Sequence, residues 1–161
     1  MTLPVDINAV VRDAIRLAQL EGQSRIALRA SLFGALPPVA GSAGQLAEAL
    51  CNLLVSARES LDAVDGAAIE IETEPDGDLV AVRILDNGPG MSEQRLEQIF
   101  DPFRSEAEDF DDASADRKLP EEAVRLSRAC EIIRQHGGTL TVRSRPGEGT
   151  CFIALLPAQL R

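Results

Sequence analysis

The sequence contains no Trp and no Tyr, and only 5 Phe among 161 residues. Its interior must therefore be filled by Leu, Ile, Val and Ala. Positive charge is also scarce, with 16 Lys and Arg against 26 Asp and Glu, a net charge of -10. That balance argues against the clustered basic surface on which non-specific nucleic-acid binding depends. It argues equally against an anionic membrane surface. No apolar run reaches the roughly 20 residues that cross a bilayer. Residues 1–8 lack the basic-then-apolar order of a secretory signal. A cytoplasmic chain without membrane contact is expected. Cys51, Cys130 and Cys151 are odd in number and lack CxxC spacing. Each sits in an apolar segment, which suits small buried side chains in a reducing compartment.

What is present suits one globular domain over 1–161. The apolar fraction is 45% and the length is ample for a core. Asp6 is a plausible N-cap for a helix reaching about residue 22, with Val10, Ala14, Leu17 and Leu20 on its packed side. Ile26, Leu28 and Ala30 alternate with Arg25, Ala27 and Arg29, as a half-buried strand does. Pro37-Pro38 and Gly41-Ser42 read as a connector, followed by a helix over about 43–61. Ile69 and Ile71 alternate with Glu70 and Glu72 in a strand. Pro75-Asp76-Gly77 is a turn, and a second strand over 79–85 completes a hairpin. A short helix covers about 92–99. The acidic stretch 106–116 has almost no core residues and is expected as a mobile loop. A helix over 120–135 ends at Gly137-Gly138. A hairpin over 139–145 and 150–156 closes the chain. This order predicts an α+β fold, a two-layer α/β sandwich with a mixed sheet covered by helices on one face.

Three segments combine helical and strand signals with polar residues of a particular kind. In 45–61, Leu46, Leu50, Leu53, Ala57 and Leu61 form an apolar stripe, while Glu48, Asn52, Ser56 and Glu59 lie on another face. Alone, that pattern equally suits an amphipathic helix with a solvated side. Asp86-Asn87-Gly88-Pro89-Gly90-Met91 follows a strand. Alone it suits a turn that ends the strand, although a carboxylate there can also accept a hydrogen bond from an amine and the glycines let backbone lie close to a flat group. Ile99-Phe100-Asp101-Pro102-Phe103 comes shortly after.

In this order and spacing the segments resemble the N, G1 and F boxes of the GHKL ATPase family. That family includes sensor histidine kinases, type II topoisomerases, heat-shock chaperones and mismatch-repair ATPases. The run from His136-Gly137-Gly138 to Gly149-Thr150 is most similar to the ATP-binding catalytic domain of bacterial sensor histidine kinases. The resemblance spans roughly Val5 to Pro157 and implies a Bergerat-type fold with ATP and Mg²⁺ as cofactors. It implies Asp86, Gly88 and Gly90 at the base, Asn52 and Ser56 at the phosphates and metal, and a lid over about 104–119. Phe103, Arg104 and Arg125 are the further nucleotide contacts it suggests, with Asn52 and Lys118 as catalytic groups. The expected partners are a His-bearing dimerisation domain and a response regulator. The isolated domain is expected as a monomer and the parent protein as a homodimer.

The pattern is broken in two places. Ser56 stands where the family has an Asn that helps hold Mg²⁺. Ser is shorter, although its hydroxyl is an acceptable oxygen donor. The family's Gly-Leu-Gly-Leu falls on Ala123-Val124-Arg125-Leu126, after Pro120-Glu121-Glu122. Neither glycine is kept, and the carboxylates already complement the positive helix end. Asn52 cannot take a proton from water, so hydrolysis is not the expected chemistry. Glu106, Glu108, Asp109, Asp111, Asp112 and Asp116 would repel a triphosphate. Three readings follow, one of them an anti-sigma-type serine kinase working as a separate protein, whose size would fit but whose tail would not. The chain is a kinase catalytic domain that transfers the γ-phosphate of ATP to a His on another domain, or it is a degenerate pseudokinase or phosphotransferase-type module that binds proteins, with ATP weakly held or lost. His136, beside the helix-ending glycines, is not read as a phosphoacceptor.

Overall fold

The computed structural model describes residues 3–22, 25–100 and 121–159. In chain order the elements are β1 (Leu3–Val5), α1 (Ile7–Leu17), β2 (Ala27–Ser31), β3 (Val39–Gly41), α2 (Ala43–Ser60), β4 (Ala68–Asp76), β5 (Leu79–Asp86), α3 (Glu93–Phe100), α4 (Glu121–Gln135), β6 (Thr139–Ser144) and β7 (Thr150–Pro157). Five strands form one sheet in the order β2-β4-β5-β7-β6. β2 runs parallel to β4 and the other pairs are antiparallel, so the sheet is mixed as expected. β1 and β3 form a separate antiparallel pair.

Period-two burial decides which face of the sheet the helices cover. Ile69 and Ile71 of β4, Val80, Val82 and Ile84 of β5, and Phe152, Ala154 and Leu156 of β7 are all buried. They join one aliphatic cluster with Val10, Val11 and Ala14 of α1, Leu50, Leu53 and Leu54 of α2, and Leu126, Ile132 and Ile133 of α4. Each large aliphatic side chain removed from water contributes about 1.5–3 kcal/mol. The apolar stripe read in α2 is borne out, with Leu46, Leu50, Leu53, Ala57 and Leu61 each at most 4% exposed.

Helix boundaries follow their caps. The Asp6 carboxylate accepts from the Asn8 and Ala9 amides, and Ser42 Oγ accepts from the Gln45 amide. The Gly138 amide donates to the Ile133 carbonyl across Gly137, whose φ is +79°, and this turn closes α4. His136 joins two of these ends. Its Nε2 accepts from the Ser42 amide at 3.1 Å, and its Nδ1 lies 2.8 Å from the Ile132 carbonyl. That pairing requires Nδ1–H and a bare Nε2, and it gives the ring a structural role.

Four local expectations are corrected. α1 stops at Leu17, and Gln19 turns back with φ +58°, so Leu20 enters the core while Leu17 is 60% exposed. β2 is an edge strand. Ile26 just before it is buried, but Ala30 faces solvent. The stretch expected as connector contains β3, which is too short to display a period. The β4–β5 ladder continues to Asp76 opposite Leu79, leaving Gly77-Asp78 as the turn, with Gly77 at φ +60°.

One polar cluster lies inside this apolar layer. Thr73 Oγ1 donates to Asn8 Oδ1 at 2.8 Å, Asn8 Nδ2 donates to the Phe33 carbonyl at 2.8 Å, and the Phe33 amide donates to Thr73 Oγ1 at 2.9 Å. The closed ring satisfies both buried side chains and ties α1 to β4.

Candidate functional site

Asp86 ends β5 in phase with Val80, Val82 and Ile84, so the strand period directs its carboxylate to the helix-covered side. Its row across the sheet is Ile69, Asp86, Thr150 and Ser144. Oδ1 accepts from the Gly88 amide at 2.8 Å, and the Thr150 backbone donates as well. Burial nevertheless dominates and pushes the Asp86 carboxyl above its ordinary range. The two amides oppose that shift, and the negative Glu122 adds to it.

The turn after Asp86 is held on two sides. Asn87 Oδ1 accepts from the Ala68 amide at 2.8 Å, while its Nδ2 donates to the Gly66 carbonyl at 2.9 Å. The Gly147 amide donates to the Pro89 carbonyl, and the Met91 amide donates to Ser144 Oγ. A Cβ on Gly90 would lie 1.9 Å from the Arg145 carbonyl oxygen, and one on Gly149 would lie 2.1 Å from that of Asp86. Both positions also have positive φ, at +73° and +76°. Glycine is required there by space and by conformation.

These elements frame a cleft of about 220 Å³. Ser56, Glu59 and Ser60 line it from α2, Asp86 from β5, Pro89, Gly90 and Met91 from the turn, Arg95 from α3, Glu122 from α4, and Thr150 and Phe152 from β7. Typical small-molecule sites measure roughly 300–1,000 Å³, so the described walls suit one part of a nucleotide rather than all of it.

The polar stripe of α2 is met by α4 along its length. Arg128 pairs with Glu48 through Nε at 3.0 Å and holds that carboxyl below its ordinary range. Asn52 Nδ2 donates to the Arg125 carbonyl at 3.3 Å. Ser56, only 2% exposed, donates to Glu122 Oε2 at 3.1 Å. Glu122 Oε1 in turn lies 3.3 Å from Arg95 Nη2. Arg125 is turned to Glu59 and Glu121.

Of the residues expected at the site, Asp86, Gly90 and Ser56 line the cleft. Gly88 adjoins it, since a Cβ there would meet Asp86 Oδ1 and Ser60 Oγ at 3.0 Å. Asn52 sits one turn before Ser56 and faces α4, and Arg125 points to its acidic partners rather than into the cleft. Phe103, Arg104, Lys118 and the expected lid over 104–119 lie outside the described residues. Sequence reading overlooked Arg95, and it took Glu122 only as a complement to the helix dipole. Arg95 and Glu122 are 27 positions apart, beyond the reach of any periodicity.

The raised Asp86 pKa sets a pH dependence. As pH falls through that pKa, the folded state protonates first and the fold recovers the stability that the buried charge costs. The gain is complete below the ordinary carboxylate range. Protonation also turns one of the two acceptor oxygens into a donor. Thermal unfolding across pH should therefore favour the chain over its Asp86→Asn variant increasingly on acidification. A difference that stays constant with pH would contradict the shift.

The profile of the family described as "Histidine kinase-, DNA gyrase B-, and HSP90-like ATPase" matches residues 41–160. The chain is 27% identical over 157 residues to the sensor histidine kinase ZraS of Escherichia coli (strain K12), covering 97% of this chain and 31% of ZraS. It thus spans about a third of the length of that curated relative. Among solved structures, the mycobacterial sensor histidine kinase MprB superposes with TM-score 0.74 at 22% identity, over 100% of both chains. Full-length ShkA in complex with AMPPNP superposes with TM-score 0.71 at 20% identity, over 99% of this chain and 32% of that one. Among the described residues, no helix is long and apolar enough to cross a membrane.

Proposed function

The chain belongs to the histidine kinase-, DNA gyrase B- and HSP90-like ATPases, and we propose on that premise that it is the single-domain ATP-binding catalytic unit of a sensor histidine kinase, delivering the γ-phosphate of ATP to a His on a separate dimerisation domain. One observation carries the reading. An inward-facing carboxylate at the end of β5, already saturated by two backbone donors on one side, opens on the other into a cleft floored by glycine and walled by Met91 and Phe152. That surface suits a flat base with an exocyclic amine. Asp86 accepts from the amine, Gly88 allows the base close to the backbone beside Asp86 and Ser60, and Gly90 shapes the turn that lines the cleft. The polar side of α2, with Ser56 and its neighbour Asn52, leads towards the phosphates. By the family resemblance, Arg104 or Lys118 would serve the γ-phosphate and Phe103 would be a further nucleotide contact.

Mg²⁺ takes oxygen ligands and is ordinarily held by one or two carboxylates together with substrate phosphates. The Ser56 hydroxyl and the Glu122 carboxylate supply such donors at the cleft wall, 3.1 Å apart, and so fit the ion. When bound, it neutralises phosphate charge. Phosphoryl transfer otherwise rests on positioning. The parent protein's partners would be the His-bearing domain and a response regulator. Calorimetry of the 161-residue chain with ATP and Mg²⁺ tests the reading, and saturable binding is expected. Absence of binding at millimolar ATP would defeat it.

A further inference from the structure

Glu122 is placed in a way that neither a helix-end carboxylate nor a surface ion pair requires. Its two oxygens have different neighbours. Oε1 faces Arg95 of α3 at 3.3 Å, and Oε2 faces the buried Ser56 hydroxyl of α2 at 3.1 Å. Three separate elements therefore fix one carboxylate at the cleft wall. Glu121, its neighbour in the same first turn, has a side chain 93% exposed and, among the described residues, pairs with Arg125 at 4.0 Å. Favourable interaction with the helix dipole is open to both residues and does not account for the difference.

The charge around Glu122 is also specific. Asp86 lines the same cleft and is close enough for Glu122 to raise its pKa. Arg125, one turn further along α4, is taken up by Glu59. A fixed carboxylate in this position repels the phosphates of a bare nucleotide and attracts a cation carried by them. The spacing of the oxygens agrees. An octahedral ion with bonds of about 2.1 Å sets neighbouring ligand oxygens about 3 Å apart.

We infer that Glu122 is a protein ligand of the nucleotide-bound divalent cation, with the Ser56 hydroxyl as the adjacent oxygen. Arg95 is a positioning residue that holds the far oxygen, as ligating carboxylates are commonly held by a hydrogen bond from outside. The inference rests on the reading that the cleft binds an adenine nucleotide. It supplies from α4 a metal ligand that α2, with Ser at position 56, provides only in part.

The test measures ADP affinity by calorimetry with Mg²⁺ and with EDTA, for the unaltered chain, Glu122→Gln, Ser56→Ala and Glu121→Gln. The unaltered chain should bind ADP about tenfold or more tightly with Mg²⁺ than with EDTA. Glu122→Gln should collapse that ratio from both sides, weakening the Mg²⁺ value and strengthening the EDTA value. Ser56→Ala should weaken only the Mg²⁺ value, and Glu121→Gln should keep the original ratio. A Glu122→Gln variant that retains the ratio, or that gains affinity equally in both conditions, overturns the metal role and leaves nucleotide binding standing. An unaltered chain that binds no ADP in either condition overturns the nucleotide reading itself and the metal role with it. Thermal unfolding of each variant separates lost binding from lost fold.

Discussion

Asp86→Asn is expected to lower ATP affinity by roughly ten- to a hundredfold, the loss of a hydrogen bond to a charged acceptor worth about 1.5–3 kcal/mol. The reason is orientation rather than charge alone. The Gly88 amide, at 2.8 Å from Oδ1, and the Thr150 amide both seek an acceptor. An Asn side chain has one oxygen to offer and will turn it to them. Its NH₂ then faces the cleft, where a purine amine also brings a donor. Two donors meet, and neither is satisfied. Calorimetry on the folded variant provides the measurement. Affinity within a factor of two of the unaltered chain would remove Asp86 from the base contact.

The second large effect concerns the turn between β6 and β7. Gly149→Ala is expected to destabilise the fold by about 2–5 kcal/mol, from a left-handed backbone penalty and a forced displacement. The new Cβ would meet the Asp86 carbonyl at 2.1 Å, and backbone cannot yield as a flexible side chain does. Gly147 is the matched control. Its φ is +81°, yet nothing lies within 4 Å of an added Cβ, so Gly147→Ala should cost only about 1–2 kcal/mol. For a chain of this size each kcal/mol lowers the unfolding midpoint by about 2–4 °C. Equal midpoints for the two variants would show that the contact with Asp86 carries no weight. Gly149→Ala should also weaken nucleotide binding, because the displaced backbone is that of Asp86, the proposed base contact.

Local pattern made much of the molecule legible. The apolar run 79–85 after the Pro75-Asp76-Gly77 turn marked β5 and the hairpin, with Asp86 at its end. The stripe from Leu46 to Leu61 gave the packed face of α2. The Gly137-Gly138 pair marked the end of α4. What escaped depends on pairing across distance or on very short elements. β1 and β3 are three residues each, too few to show a period, and they find each other across 34 or more positions. Val10 and Ala14 of the apolar pattern are buried, but Leu17 is the last residue of α1 and stays exposed, because a left-handed Gln19 turns the chain back and brings Leu20 into the core. The site divides in the same way. Asp86, Gly90 and Ser56 follow from motif and period, while Arg95 and Glu122 meet only because α3 and α4 converge on one cleft. The sequence supplied their charges without saying that they oppose one another.

The hydrogen-bonded ring of Asn8, Thr73 and the Phe33 backbone limits how α1 can travel. A slide by one helical turn, about 5.4 Å, would break both bonds of Asn8 and leave polar atoms stranded in an aliphatic interior, at roughly 1–3 kcal/mol for each unsatisfied group. Gradual slippage is thus blocked by a step-like barrier. The Asn8–Thr73 bond couples α1 to β4, whose Ile69 lies beside Asp86 in the sheet.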